Sequence, residues 1–139
     1  MTFIDSNVIL DIFGRDRKWF GWSSDRLVQA AAMGPVLINA VVIAELSRNF
    51  GSLADLWAKL KPLALASIAV EDDAAFLAGQ RFVSYRRARV GDRAARVLPD
   101  FFIGAHAVTL RIPLLTRDQA IYRRYFPELT LITPETDHG

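Results

Sequence analysis

The sequence contains no cysteine among its 139 residues and only two histidines, His106 and His138. The absence of cysteine excludes disulfides, thiol nucleophiles, zinc–thiolate sites and iron–sulfur clusters, and it is typical of a reducing compartment. Because His138 lies next to the C-terminus, a histidine zinc site is disfavoured and a Ser-His-Asp triad would depend on His106 alone. Catalytic chemistry is therefore expected to come from carboxylates.

Long hydrophobic runs are also missing. The most apolar stretch, Pro62–Val70, is far shorter than the roughly 20 residues of a membrane-spanning helix. The N-terminus carries no cationic region, so we expect no signal peptide and a cytoplasmic protein. Apolar residues make up 52% and charged residues 23%, which excludes a disordered chain. We predict one domain over residues 1–133 and a frayed tail over 134–139.

Short apolar segments alternate with helical patterns along the chain. Strands are predicted at Thr2–Asp5, Val36–Ile38, Pro113–Thr116 and Leu129–Thr133, with a short edge strand favoured within Leu63–Val70. Helices are predicted at 6–13, 24–32, 40–49, 53–61, 72–89, 99–110 and 118–125. This alternation predicts an α/β protein, a three-layer α/β/α sandwich around a mostly parallel central sheet.

Four acidic residues fall where the carboxyl ends of these strands would meet: Asp5, Glu45, Asp100 and Asp118. Ligands of parallel sheets bind at this edge. Clustered carboxylates repel one another unless a cation lies between them, and an all-oxygen site selects Mg²⁺ or Mn²⁺. Metal-assisted hydrolysis of a phosphodiester is the natural chemistry of such a site. The alternative is that each acid caps a helix or interacts with a helix dipole.

These acids belong to motifs that resemble those of the PIN-domain nucleases, and most closely the VapC-type toxins of toxin–antitoxin pairs. The motifs follow one another in the family's order over nearly the whole chain, at Met1–Asp11, Ala44–Leu46, Asp100–Ala107 and Leu115–Asp118. Each motif is weak alone, and the combination is specific. The family fold is a parallel α/β/α sandwich, in agreement with the prediction from the residues.

The resemblance implies a Mg²⁺- or Mn²⁺-dependent endoribonuclease with the four acids as its site. Asp5 and Asp100 would be the principal metal ligands, with Glu45 and Asp118 completing the acidic set. Asn7 and Thr116 match polar residues that support the ligands in this family. The resemblance also implies an RNA substrate, a homodimer, and a cognate antitoxin whose C-terminal segment fills the site.

Two further segments are rich in cations that could contact a nucleic acid. Between Arg81 and Arg96 there are six arginines and one acid, and we predict RNA binding by Arg86, Arg87, Arg89 and Arg93. A solvated helix face is the alternative for this run. Cations also adjoin aromatic rings at Arg15, Arg17, Lys18, Trp19, Phe20 and Trp22, which suits either single-stranded RNA or a protein partner.

Other functions remain open on the sequence alone. A PIN-type nuclease could process RNA without an antitoxin, and an upstream gene for a small acidic protein would discriminate the two. A phosphoacceptor signalling domain has a similar shape but needs an aspartate at the end of its third strand, and none is predicted there. A haloacid-dehalogenase-like phosphatase would need a second aspartate at Asn7. We assign no chemistry to His106.

Overall fold

Five parallel strands form the central sheet of the structure, a computed structural model that describes residues 1–88 and 93–136, without the side chains of 93–95. The sheet order is β3-β2-β1-β4-β5. Phe3 in the central strand pairs with Leu37 on one side and Leu114 on the other. The strands are β1 (Thr2–Ile4), β2 (Val36–Asn39), β3 (Ala66–Ile68), β4 (Leu114–Leu115) and β5 (Leu131–Ile132).

Seven helices in the described residues flank this sheet, which confirms the predicted α/β/α sandwich. Short 3₁₀ turns at Ser47–Asn49 and Lys61–Leu63 follow two of them. Within the described ranges, no helix is long and apolar enough to cross a lipid bilayer. The helices are α1 (Ser6–Phe13), α2 (Phe20–Met33), α3 (Ala40–Leu46), α4 (Leu53–Leu60), α5 (Asp72–Ala88), α6 (Arg93–Leu110) and α7 (Ala120–Tyr125).

The strands most central to the sheet are buried on both faces, as expected for a parallel sheet covered by helices. Phe3, Ile4 and Leu114 have no exposed surface. Asn39 ends β2 and begins α3, because its Oδ1 accepts hydrogen bonds from the N–H groups of the second and third residues of that helix. The Nδ2 group of Asn39 lies 3.0 Å from Nδ1 of the buried His106, so this histidine supports the start of α3.

A cluster of aromatic rings joins α5, α6 and α7. Phe101 packs against Tyr85, Tyr125 and Phe126, with ring centroids 5.4–5.6 Å apart. Gly104 permits this approach, because a Cβ atom there would lie 2.8 Å from two carbons of the Phe126 ring. The cluster fixes α6 and α7 relative to each other, and these two helices carry residues of the candidate site.

The main departure from the sequence prediction concerns the start of α6. Proline is favoured in the first turn of a helix because it lacks an N–H group, which is why Pro99 was expected to begin this one. The helix instead begins at Arg93 and contains Pro99 within it. Packing of α6 on its neighbours outweighs the lost hydrogen bond. Asp100 therefore lies inside the helix, where it cannot act as an N-cap.

Smaller differences occur at other boundaries. Helix α2 begins at Phe20, four residues before the predicted start at residue 24. Strands β4 and β5 are each shorter than predicted. Residues 134–136 form a turn in which Thr136 and Thr133 exchange hydrogen bonds. Residues 137–139 of the predicted tail lie outside the described residues.

Candidate active site

The four acids singled out in the sequence come together beside the carboxyl ends of β1 and β4. Asp5 directly follows β1, and Asp118 lies in the loop between β4 and α7. Glu45 is on α3 and Asp100 is on α6. The negative charges of the other three all raise the pKa of Asp100, which means that the four carboxylates share one electrostatic environment.

Asp5 is the buried anchor of this group, with only 3% of its surface exposed. Its Oδ2 accepts hydrogen bonds from the hydroxyls of Tyr122 and Thr116, each at 2.8 Å. Its Oδ1 accepts the backbone N–H of Ser6 at 2.8 Å, at the start of α1. Burial raises the pKa of Asp5, and these three hydrogen bonds act in the opposite direction. The carboxylate is thus fixed in orientation before any ligand binds.

Glu45 is linked to this anchor through a serine. The Oγ of Ser6 donates to Glu45 Oε1 at 2.9 Å and lies 3.5 Å from Asp5 Oδ1. Partial burial raises the pKa of Glu45, and the charge of Asp5 raises it further. The glutamate is held at the site by a contact to α1, which explains why an acid in the second turn of α3 points there.

The ionisation of Asp100 is strongly perturbed. Burial, followed by the charges of Asp5, Glu45 and Asp118, raises its pKa to about 8. The hydroxyl of Tyr122 lies 3.5 Å from Asp100 Oδ1. Burial and the adjacent carboxylates raise the pKa of Tyr122 well above its ordinary value, so it remains a phenol and can donate a hydrogen bond.

Asp118 is positioned through the threonine that precedes it by two residues. Its backbone N–H donates to Thr116 Oγ1 at 3.2 Å, and Nδ2 of Asn7 donates to the same oxygen at 3.2 Å. Asp118 Oδ1 also accepts the N–H of Ala120 at 3.3 Å. Asn7 and Thr116 therefore both lie beside the acids. The hydrogen bond from the Ala120 N–H to the Asp118 side chain means that Asp118 also partly caps the start of α7.

The donor set suits a hard divalent cation more than a soft one. All its side-chain ligands would be oxygens, and after burial the charges of three neighbouring carboxylates raise the pKa of Asp100, an effect that a bound cation would oppose. In the described part of the chain, no group of three histidine or acidic side chains is arranged to bind one metal ion directly. This geometry fits Mg²⁺, which is commonly held by one or two carboxylates and several waters.

Sequence reasoning missed two contributors to the site. Ser6 adjoins Asp5 in the sequence. Tyr122 follows Asp118 by four residues, a spacing that would place Asp118 and Tyr122 on one face of the helix predicted at 118–125. Neither signal is specific by itself. The hydroxyl of Tyr122 contacts an aspartate 117 residues away in the chain, and only the tertiary fold could show this contact.

The predicted basic run is only partly described. Arg86 and Arg87 are exposed in the last turn of α5. Arg81 forms a two-pronged ion pair with Glu128 at 2.8 and 3.1 Å, which accounts for its charge. Arg89 and the side chain of Arg93 lie outside the described residues. RNA binding by these arginines stays a prediction.

The segment of cations and aromatic rings that leads into the first turn of α2 lies beside the acid cluster. Lys18 Nζ and the Arg117 guanidinium both lie over the Trp19 ring, at 4.9 and 5.5 Å from its centroid. Trp22 contacts Trp19 edge to face at 6.3 Å. Because Arg117 immediately precedes Asp118, this segment adjoins the candidate site.

The chain belongs to the PIN domain family, whose model matches residues 2–127. No curated protein matches the sequence. Among solved structures it is similar to VapBC2 from Rickettsia felis, solved with a promoter DNA fragment, at 18% identity and a TM-score of 0.70, covering 95% of this chain and 97% of that one. It is also similar to FitAcB from Neisseria gonorrhoeae, at 18% identity, a TM-score of 0.62, and 97% and 99% coverage.

A toxin–antitoxin complex from Klebsiella pneumoniae has the same fold, at 22% identity and a TM-score of 0.59, covering 96% of this chain and 98% of that one. At these identities the likeness establishes the fold. The sheet order also disagrees with the phosphoacceptor alternative. In such signalling domains the third strand lies beside the first, whereas here β3 lies at the sheet edge and is separated from β1 by β2.

Proposed function

We propose that this chain is a Mg²⁺- or Mn²⁺-dependent endoribonuclease that acts as the toxin of a toxin–antitoxin pair. The observation that carries the proposal is the convergence of Asp5, Glu45, Asp100 and Asp118 at one edge of the sheet, near enough that the charges of the other three raise the pKa of Asp100. Membership of the PIN domain family and likeness to VapBC and FitAcB complexes support it. Asp5 and Asp100 would be the principal metal ligands, with Glu45 and Asp118 completing the acidic set.

The protein's own part in this reaction is to hold the carboxylates and the phosphodiester in place. A bound divalent cation supplies positive charge against the growing charge of the phosphate and activates water. Tyr122 and Thr116 keep Asp5 Oδ2 aimed by two short hydrogen bonds. Burial raises the pKa of Glu45, and its Oε1 accepts the Ser6 hydroxyl, so Glu45 is placed to accept a proton.

Cleavage by the purified protein tests the metal dependence. We expect it to cut single-stranded or loop RNA with Mg²⁺ or Mn²⁺ and to lose activity in EDTA, because the side chains at the site offer no histidine or thiol in place of the metal. Restoration by added Mn²⁺ is the control for irreversible damage by the chelator. Undiminished cleavage in EDTA would contradict the proposal.

The toxin role needs a test in cells. Sequencing of RNA ends after a brief pulse of expression should reveal discrete cleavage sites, together with arrested growth. We propose that the antitoxin inserts an arginine or lysine near Asp5 and Asp100, where that cation takes the electrostatic place of the metal. Unchanged RNA and unaffected growth would contradict the toxin role, while cleavage without any neutralising partner would favour RNA processing.

A further inference from the structure

A second charged group lies next to the acid cluster and has no place in the reaction described above. Asp11 on α1 is 3% exposed, and its two oxygens accept Nε and Nη2 of Arg117 at 2.8 and 2.9 Å. Ser23 on α2 donates a third hydrogen bond to Asp11 Oδ2 at 2.8 Å. This planar, two-pronged geometry fixes the direction of a guanidinium in a way that a single contact does not.

Arg117 is also held through its backbone. Its N–H donates to Asn7 Oδ1 at 3.2 Å. Asn7 and Asp11 are one helical turn apart, so they lie on the same face of α1. One face of α1 therefore binds both the backbone and the side chain of Arg117. The Trp19 ring lies under the guanidinium, whose Cζ is 5.5 Å from the ring centroid.

The loop that Arg117 belongs to carries site residues on both sides. Thr116 precedes it and donates to Asp5, and Asp118 follows it and contributes charge to the cluster. We propose that Asp11 and Arg117 form a positioning pair that holds this loop so that Thr116 and Asp118 face Asp5. The pair acts through these neighbours rather than on substrate, and the proposal rests on the proposed nuclease function only for its effect on cleavage.

Asp11→Asn is the primary variant, because it removes the negative charge and one of the two acceptors of a guanidinium that is 30% exposed and can turn to solvent. Arg117→Gln would instead leave a buried carboxylate unpaired and threatens folding. The matched control is Glu128→Gln, which breaks a second two-pronged arginine–carboxylate pair, Arg81–Glu128, on a different surface. Both changes remove one negative charge from such a pair.

Hydrogen–deuterium exchange measures the loop directly, without any activity. In Asp11→Asn we expect the backbone amides of Arg117 and Asp118 to exchange about tenfold faster, because the loop is no longer held in the position in which they donate to Asn7 and Thr116. Glu128→Gln should leave both rates unchanged. Wild-type exchange rates in Asp11→Asn would overturn the proposal even if the protein proves to be a nuclease, and faster exchange would support it even if no RNA is cut.

Cleavage kinetics distinguish positioning from direct RNA contact. We expect Asp11→Asn to lower kcat about 10–100-fold, the usual effect of losing a residue that orients ligands, with KM for RNA nearly unchanged. Arg117→Lys should lose a similar factor because it keeps the charge without the two-pronged geometry. The double variant Asp11→Asn/Arg117→Gln should be no worse than Asp11→Asn, since the pair is already lost. A fully active Arg117→Lys, or multiplicative losses in the double variant, would overturn the proposal.

Discussion

The ionisation of Asp100 makes the metal-free protein less stable as the pH rises, and Asp100→Asn should remove that effect. The folded state keeps a proton on Asp100 up to about pH 8, whereas the unfolded chain releases it near the ordinary pKa of 3.8. The unfolded state therefore binds fewer protons between these values, so the free energy of unfolding falls as the pH increases through this window. Asparagine is nearly isosteric and carries no charge.

The size of the effect follows from the pKa. A pKa raised from 3.8 to about 8 corresponds to about 5–6 kcal/mol of destabilisation above pH 8, at about 1.36 kcal/mol for each pH unit. Asp100 is only partly buried, and screening by solvent reduces this upper limit, so we expect about 2–3 kcal/mol. Asp5 and Glu45 also have raised pKa values, so part of the pH dependence should persist in the variant.

The assay is urea unfolding in EDTA at pH 5, 7 and 8.5. Asp100→Asn should gain stability relative to wild type as the pH rises, and Asp55→Asn, an exposed acid on α4, should follow wild type at every pH. Added Mn²⁺ should reverse the order, because a ligand at a hundredfold excess over Kd stabilises the wild type by about 2.7 kcal/mol. Parallel pH profiles for wild type and Asp100→Asn, together with equal Mn²⁺ shifts, would refute the shared-charge site.

Two further substitutions test contacts that position the site. Tyr122→Phe removes a buried donor to Asp5, so urea unfolding at pH 8 should show a loss of about 1.5–3 kcal/mol; an unchanged stability would mean that this hydrogen bond is dispensable. Gly104→Ala places a Cβ 2.8 Å from the Phe126 ring and should lower the stability by about 1–3 kcal/mol. Gly79→Ala, with no atom within 4 Å of its Cβ, is the control and should gain about 0.5–1 kcal/mol.

The sequence predicted those parts of the structure that depend on local pattern. Apolar runs such as Phe3–Ile4 and Leu114–Leu115 identified strands, and the helical pattern from residue 40 identified the start of α3. The start of α6 could not be predicted in this way, because Pro99 is a strong local signal for a helix start and the tertiary packing that overrides it is not local. The difference matters for function, since it removes capping as an explanation of Asp100.

The four acids could be placed at one edge because strand ends in a parallel sheet converge. Their partners could not, because the contacts of Tyr122 with Asp5 and of Arg117 with Asp11 span 117 and 106 residues. Nothing in the local sequence sets which hydroxyl reaches which carboxylate. Such contacts depend on sheet order, and the order β3-β2-β1-β4-β5 is fixed only when all five strands are present.

The central position of β1 has a consequence for synthesis on the ribosome. Asp5 is made 111 residues before Thr116 and 117 residues before Tyr122, whose hydroxyls hold its carboxylate, and β1 is likewise made long before its neighbour β4. A nascent chain that ends before Leu114 lacks β4, so one edge of β1 is unpaired, and it also lacks the hydroxyls of Thr116 and Tyr122. The acid cluster with all its hydrogen-bond partners is therefore complete only after Tyr122 has been made, and the earlier chain must remain unaggregated with one edge of its central strand unpaired.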